Sequence, residues 1–216
     1  MRPSHCEVIV FAKAPEPGYA KTRLIPALGE NGAAALAERL LRHTLASAYA
    51  AEIGPVELCC TPDTGHPAFQ ACAREFKATL SRQCDGDLGQ RMATAACRAL
   101  ARAGSVLIIG TDCPALEPTQ INAAARILNA GNDAVLVPAT DGGYVLLGLR
   151  RLDAHLFSAI RWSTDTVMTE TRKRLTALGW RWAELPALPD VDEPADLQHV
   201  PIALLSAAPN SRTDEE

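Results

Sequence analysis

No stretch of these 216 residues approaches the roughly 20 consecutive apolar residues that a membrane-spanning helix needs. The N-terminal segment MRPSHCEVIVFAKAP is apolar only from Val8 to Ala12, too short for the hydrophobic region of a secretory signal. Both absences make the cytoplasm the expected compartment and a membrane partner unexpected. The seven cysteines are odd in number and include no C-x-x-C pair, so neither zinc-site spacing nor a disulfide framework is present. They read as small buried apolar residues of a reducing compartment. An excess of positive charge is also missing. The net charge of −4 argues against sequence-independent nucleic-acid binding, which leans on a positive field. It leaves room for a small anionic ligand held by a few local Lys and Arg. No internal repeat or linker divides the chain, so residues 1–205 read as one domain. A polar tail, 206–216, is expected to be disordered.

What is present is an ordinary globular composition, 48 % hydrophobic and 21 % charged, on a chain long enough to bury a sizeable core. Short Val/Ile/Leu-rich runs are expected as strands at 7–12, 55–61, 78–81, 105–110, 133–137, 144–149 and 180–184. Helical periodicity is expected at 29–51, 66–76, 88–103 and 119–130. A further helix is expected from WSTDT to about Leu178, with Ser163 as its N-cap and Asp165 in its first turn. Pro194 begins a last one. Alternation of this kind predicts an α/β fold, a three-layer α/β/α arrangement with a mostly parallel central sheet. Ligands of such sheets bind outside the carboxyl ends of the strands.

Four polar, glycine-bearing segments fall where that rule asks: Lys13–Arg23, Thr111–Pro114, Thr140–Gly143 and, before a helix, Gly86–Arg91. The first is FAKAPEPGYAKTRL, Phe11–Leu24. Its G-x-x-K-T is not a Walker A motif, because that motif places glycine directly before the lysine, and Gly18 lies three positions before Lys21. What remains is a loop stiffened by Pro15 and Pro17, with Gly18 permitting a tight turn. Lys13, Lys21 and Arg23 are its candidate phosphate-holding cations. The alternative is a solvated basic turn. GTDCPAL is the second segment. Asp112, held at the sheet rim after SVLIIG, suits a hard cation, which takes one or two carboxylates plus phosphate oxygens; otherwise it caps the following helix.

A partner carboxylate comes from LPDVDEPADL, where alternation puts Asp190 and Asp192 on one face. Asp192 could also serve only as an N-cap before Pro194. In TDGGY, Gly142 and Gly143 either present N–H groups to a ligand or make a hairpin turn. The histidines (His5, His43, His66, His155, His199) fall in expected helices, turns or tails and suggest no catalytic base.

Together and in this order, FAKAPEPGYAKTRL, GDLGQRM, GTDCPAL, TDGGY, WST and DVDEPADL resemble the nucleotide-diphospho-sugar transferase superfamily, of the glycosyltransferase-A fold. Within it the chain looks closest to the bacterial cofactor-guanylyltransferase-like proteins assigned glycosyl transfer, some in arsenosugar biosynthesis. The 2-phospho-L-lactate guanylyltransferases are more distant. The likeness spans about residues 6–200.

This resemblance implies roles. Lys13, Gly18, Lys21 and Arg23 would hold a nucleotide's phosphates, and Gln83, Gly86 and Asp87 would lie near its base. Asp112 and Asp192 would bind Mg²⁺ or Mn²⁺. Glu193 stands where sugar nucleotidyltransferases carry Thr, which leaves Asp190 against Asp192 open. Catalysis would rest on Asp112 and Lys21, with Asp141 as the best-placed general base for an attacking hydroxyl, and Asp141, Gly142, Gly143 and Trp162 would form the acceptor or donor loop. The expected function is a metal-dependent transferase using a nucleotide-activated donor. Glycosyl transfer from a nucleotide-sugar to a small-molecule acceptor is favoured. Nucleotidyl transfer from an NTP to a phosphorylated small molecule and a non-catalytic nucleotide-binding module are the alternatives.

Overall fold

Alternation along Cys6–Lys13 (β1) gives each face of one strand its own core. Cys6, Val8, Val10 and Ala12 pack into one hydrophobic cluster, and Ile9 into another with Phe11 packed against it. A strand that is apolar on both faces must lie in the middle of a covered sheet. In the computed structural model, which describes residues 5–206, β1 does so.

The sheet has seven strands in the order β3-β2-β1-β4-β6-β5-β7. They are β1, β2 (Val56–Thr61), β3 (Thr79–Arg82), β4 (Ser105–Ile109), β5 (Ala134–Pro138), β6 (Tyr144–Leu149) and β7 (Trp182–Glu184). Only β6 runs against its neighbours, β4 and β5. The other pairings are parallel. Helices α1 (Ile25–Ala50), α2 (Pro67–Phe76) and α4 (Pro118–Asn129) cover one face, through Leu41, Leu45, Phe69, Ile121 and Leu128. Helices α3 (Leu88–Leu100) and α5 (Val167–Ala177) cover the other, through Met92, Ala96, Met168 and Leu175. A short α6 (Ile202–Ser206) follows. The fold is the expected three-layer α/β/α arrangement with a mostly parallel sheet.

Polar groups inside the layers are paired. Glu7 and Glu57, each 2 % exposed on adjacent strands, meet Arg102, just beyond α3, and Arg98 of α3. Among the described residues, no helix is long and apolar enough to cross a membrane. Five of the seven cysteines are buried and all are free; Cys84 is half-buried and Cys97 exposed.

Three boundaries differ from expectation. Helix α1 starts at Ile25, ahead of Gly29, because Pro26 sits in its first turn; Gly29, with φ +70°, breaks it internally. Helix α5 starts at Val167 with Thr166 at its N-cap. Ser163 is not that cap: it lies four residues before Val167, in a left-handed turn at φ +61°. Pro194–His199 is a 3₁₀ helix. The expected polar tail lies outside the described residues, apart from Ser206 at the end of α6.

The chain leaves β1 for β2 and β3 on one side and returns to β4 on the other. This reversal opens a crevice beyond the carboxyl ends of β1 and β4, where ligands of such sheets bind.

Candidate functional site

The crevice holds two adjoining cavities. The larger, about 630 Å³, is lined by the ends of β1 and β4 and by Lys13, Lys21, Arg23, Gln83 and Arg91. The smaller, about 280 Å³, is lined by Asp141, Gly143, Trp162, Thr164 and Asp190 among others. Asp112, Asp192, Arg23, Tyr144 and Ser163 border both.

Lys21, in the wall of the larger cavity, ties together Asp112 and Asp192, which border both. Its backbone adopts φ +48°, an uncommon conformation for a residue with a Cβ, and its side chain is only 8 % exposed. The ammonium lies 2.5 Å from Asp112 Oδ1 and 3.1 Å from Asp192 Oδ1, and it donates to the Val191 carbonyl at 2.5 Å. Burial works to lower its pKa, but the two carboxylates outweigh that and hold the ammonium above its usual value. Backbone pairing keeps these partners in register. Val191 N–H donates to the Asp112 carbonyl at 2.8 Å, and Leu188 forms a parallel bridge with Ala139.

The acidic side of the site is a second cluster. Asp141, Asp190 and Asp192 can bring one oxygen each within 4.8 Å of one another. Burial pushes the Asp190 carboxyl up to about 6, with further contributions from the Asp141, Asp192 and Asp112 charges. Hard oxygen donors crowded in this way fit a divalent cation such as Mg²⁺ or Mn²⁺. Asp192 belongs both to this cluster and to the Lys21 bridge. Neither Asp112 nor Asp192 is spent on a helix cap: Glu117 precedes α4, and Glu193 precedes the 3₁₀ helix.

Other expected site residues are placed differently. Lys13 lines the larger cavity while donating to the Tyr19 carbonyl at 2.5 Å. Gly18, with φ +79°, is among the lining of neither cavity, and a Cβ there would face the Glu30 carboxylate. Gln83 is buried, its amide nitrogen donating to the carbonyls of Ala12 (3.3 Å) and Cys59 (3.0 Å). Gly86 and Asp87 line neither cavity. Asp87 caps α3, accepting from Gln90 N–H at 2.8 Å, while Gln90 Oε1 accepts from Asp87 N–H at 2.9 Å. A Cβ at Gly86 would meet Gln90 Oε1.

TDGGY joins the antiparallel β5 and β6 as a hairpin connection. Gly142 has φ +94°, and a Cβ there would lie 2.3 Å from the Asp165 carbonyl oxygen, so the loop packs against the start of α5. Asp141 Oδ1 accepts from Gly143 N–H at 2.8 Å. Trp162 rests on Gly89 of α3, and its Nε1 is buried without a hydrogen-bond partner among the described residues.

Arg91 is the site residue that sequence reasoning passed over. Its Nε donates to the Gly86 carbonyl at 2.9 Å, and its Nη1 reaches Gln83 Oε1 at 3.5 Å. Its place in GDLGQRM was the available signal.

Residues 44–164 match the model of a family described as "Uncharacterized protein conserved in bacteria (DUF2064)". The chain belongs to DUF2064. Among solved structures, this DUF2064 protein is similar to a candidate nucleotide-diphospho-sugar transferase from Desulfovibrio desulfuricans G20. The identity is 28 %, the TM-score 0.82, and 97 % of this chain and 90 % of that one are covered. It shares its fold with a CMP:2-keto-3-deoxy-manno-octonic acid synthetase complexed with CTP, at 14 % identity and TM-score 0.56, covering 90 % and 96 % of the two chains. The same holds for Rv0371c of Mycobacterium tuberculosis H37Rv in complex with manganese, at 15 % identity and TM-score 0.56, covering 95 % and 100 %. No curated protein sequence matches the chain.

Proposed function

We propose that this DUF2064 protein is a transferase that draws on a nucleotide-activated donor, and specifically a glycosyltransferase acting from a nucleotide-sugar on a small-molecule acceptor. One observation carries the reading: charge is divided between the two cavities. Lys13, Lys21, Arg23 and Arg91 line the larger one, which suits a nucleotide's phosphates. Of these, Arg23 alone also lines the smaller one, where Asp141 and Asp190 join Asp112 and Asp192, the two carboxylates that border both. The names of similar proteins, a candidate nucleotide-diphospho-sugar transferase and a CTP-bound synthetase, agree with a nucleotide donor.

A divalent cation would be held by Asp190 and Asp192, the number of carboxylates such an ion ordinarily takes when a substrate phosphate supplies further oxygens. When bound, it would offset charge developing on the leaving diphosphate. Lys21 and Arg23 act on the same charge from the other side. Asp141 remains as the proton acceptor, with Oδ1 oriented by Gly143 N–H. The acceptor's hydroxyl oxygen bonds to the anomeric carbon as the bond from that carbon to the diphosphate breaks. The electron pair leaves with the nucleoside diphosphate, and the hydroxyl proton passes to Asp141.

The test is a thermal-shift panel of NTPs and UDP-, GDP- and dTDP-sugars, each with Mg²⁺ or Mn²⁺, since a ligand stabilises according to its concentration over Kd. A nucleotide-sugar stabilising more than its parent NTP is the expected result. Greater stabilisation by the NTP, with pyrophosphate release on adding a phosphorylated acceptor, would replace this reading with nucleotidyl transfer. No response to any nucleotide would end both.

A further inference from the structure

We infer that the smaller cavity receives the acceptor, and that the acceptor presents an uncharged, hydroxyl-rich group there and not a phosphate ester. The inference rests on the transferase reading and adds the chemical class of the second substrate.

The walls carry the argument. Asp112, Asp141, Asp190 and Asp192 contribute four carboxylates to a space of about 280 Å³ in which Arg23 is the single cationic lining residue. Lys13, Lys21 and Arg91, which could balance a second anion, line the larger cavity and not this one. A divalent cation, Lys21 and Arg23 together would offset the four carboxylates. The donor's diphosphate then takes up Lys13 and Arg91 of the larger cavity, which leaves no cation for a second phosphate. A phosphomonoester entering beside these groups would meet like charge at short range, where the local dielectric screens it poorly.

The remaining surface suits hydroxyl groups. Ser163 lines the cavity with a donor-acceptor oxygen, Thr164 Oγ1 is held by the Arg161 carbonyl (2.7 Å) and Thr166 Oγ1 (2.8 Å), and Tyr144 and Trp162 supply flat, partly buried rings. The Trp162 Nε1–H is buried and has no acceptor within the described chain. It faces Gly89 of α3, so Trp162 offers the cavity its ring and not its N–H. Carboxylates are acceptors only, so Asp141 and Asp190 favour a ligand that brings O–H donors.

The cavity also meets the larger one at Asp112 and Asp192, so a hydroxyl there can approach the donor's anomeric carbon from the side of Asp141. The transfer is then the one written above. The acceptor oxygen gains the bond to carbon, the diphosphate leaves with the electron pair, and Asp141 takes the proton.

The test uses the full-length protein with Mn²⁺ and the nucleotide-sugar that stabilises it most, and measures release of nucleoside diphosphate. Acceptors are offered in pairs that differ by one phosphate: glycerol and glycerol 3-phosphate, glucose and glucose 6-phosphate, ribose and ribose 5-phosphate. The expected result is release accelerated severalfold by the neutral member of at least one pair, its phosphate ester being at least tenfold weaker. Acceleration by the esters, or by neither member of any pair, overturns the inference. The nucleotide reading is judged separately by the stabilisation measured beforehand.

Thr164→Lys, at an exposed position lining only the smaller cavity, should shift preference toward the ester about tenfold. Thr164→Gln controls for the lost hydroxyl and should not. Nucleotide affinity unchanged in both variants shows that they fold. An unshifted preference in Thr164→Lys counts against this cavity as the acceptor's place.

Discussion

The Lys21 ammonium lies 2.5 Å from Asp112 Oδ1 and bridges it to Asp192 Oδ1 at 3.1 Å. A lysine therefore sits against Asp192, one of the carboxylates proposed to hold a divalent cation. Cation and ammonium then compete for the same oxygen, and a nucleotide's phosphates offer the ammonium somewhere else to go. Lys21→Met keeps the apolar stem and removes the charge. Binding of Mn²⁺ alone, followed by its paramagnetic resonance signal, should tighten about tenfold, roughly 1.4 kcal/mol. Nucleotide affinity should fall in the same variant. Weaker or unchanged Mn²⁺ binding would separate Lys21 from the cation site.

The acidic cluster yields a sorting experiment. Asp190→Asn and Asp192→Asn should each weaken Mn²⁺ binding at least tenfold, while Asp141→Asn should leave it within a few-fold. Turnover should instead fall about 10²- to 10⁴-fold in Asp141→Asn, the usual worth of a general base. A turnover that survives in Asp141→Asn but not in Asp190→Asn would assign the proton to Asp190. Removing the metal with a chelator should stop transfer and leave the circular-dichroism spectrum unchanged, because the core clusters lie within the sheet and its helices.

Gly89 tests the wall shared by α3 and Trp162. Placing alanine in a helix normally stabilises it by up to about 1 kcal/mol relative to glycine. Here the added Cβ would lie 2.6 Å from Trp162 Cζ2, so the indole must move. Gly89→Ala should alter tryptophan fluorescence and lower acceptor-dependent turnover about tenfold, with nucleotide affinity retained. A more stable protein with unchanged fluorescence and turnover would show that Trp162 needs no such support.

Gly148 offers a control confined to packing. In the middle of β6, a Cβ would meet Val135 Cγ1 at 2.5 Å and Leu107 Cδ2 at 2.6 Å. Overfilling a tight core costs about 1–3 kcal/mol, which for a chain of this size lowers Tm by roughly 2–4 °C per kcal/mol. Gly148→Ala should melt several degrees earlier and keep its nucleotide specificity. An unchanged Tm would mean that packing between β4, β6 and β5 yields to an added methyl group at little cost.

Much of this was legible in one dimension. The continuous apolar runs VIVFA and SVLIIG mark strands buried on both faces, because such effects act between near neighbours. The same locality misled at Ser163. Ser-Thr-Asp is a good cap by composition, but the left-handed turn at Ser163 delays the helix to Val167. The resemblance put Gly86 and Asp87 near a nucleotide's base; in the structure Asp87 shares capping hydrogen bonds with Gln90, and neither residue lines the two cavities.

By itself the sequence determined the layer order of the fold and the polar loops at the strand ends, since apolar periodicity and turn residues are written locally. Only the tertiary structure decided which charges meet. Lys21 and Asp192 stand 171 residues apart, and no local rule links them. Their contact follows from chain reversal between β1 and β4 and from the Val191–Asp112 backbone bond, which carry Asp190 and Asp192 to the rim where Asp112 already lies. Charge attracts over a few ångströms of space, not along the chain, so the division into a cationic and an acidic cavity emerges only when the sheet is assembled.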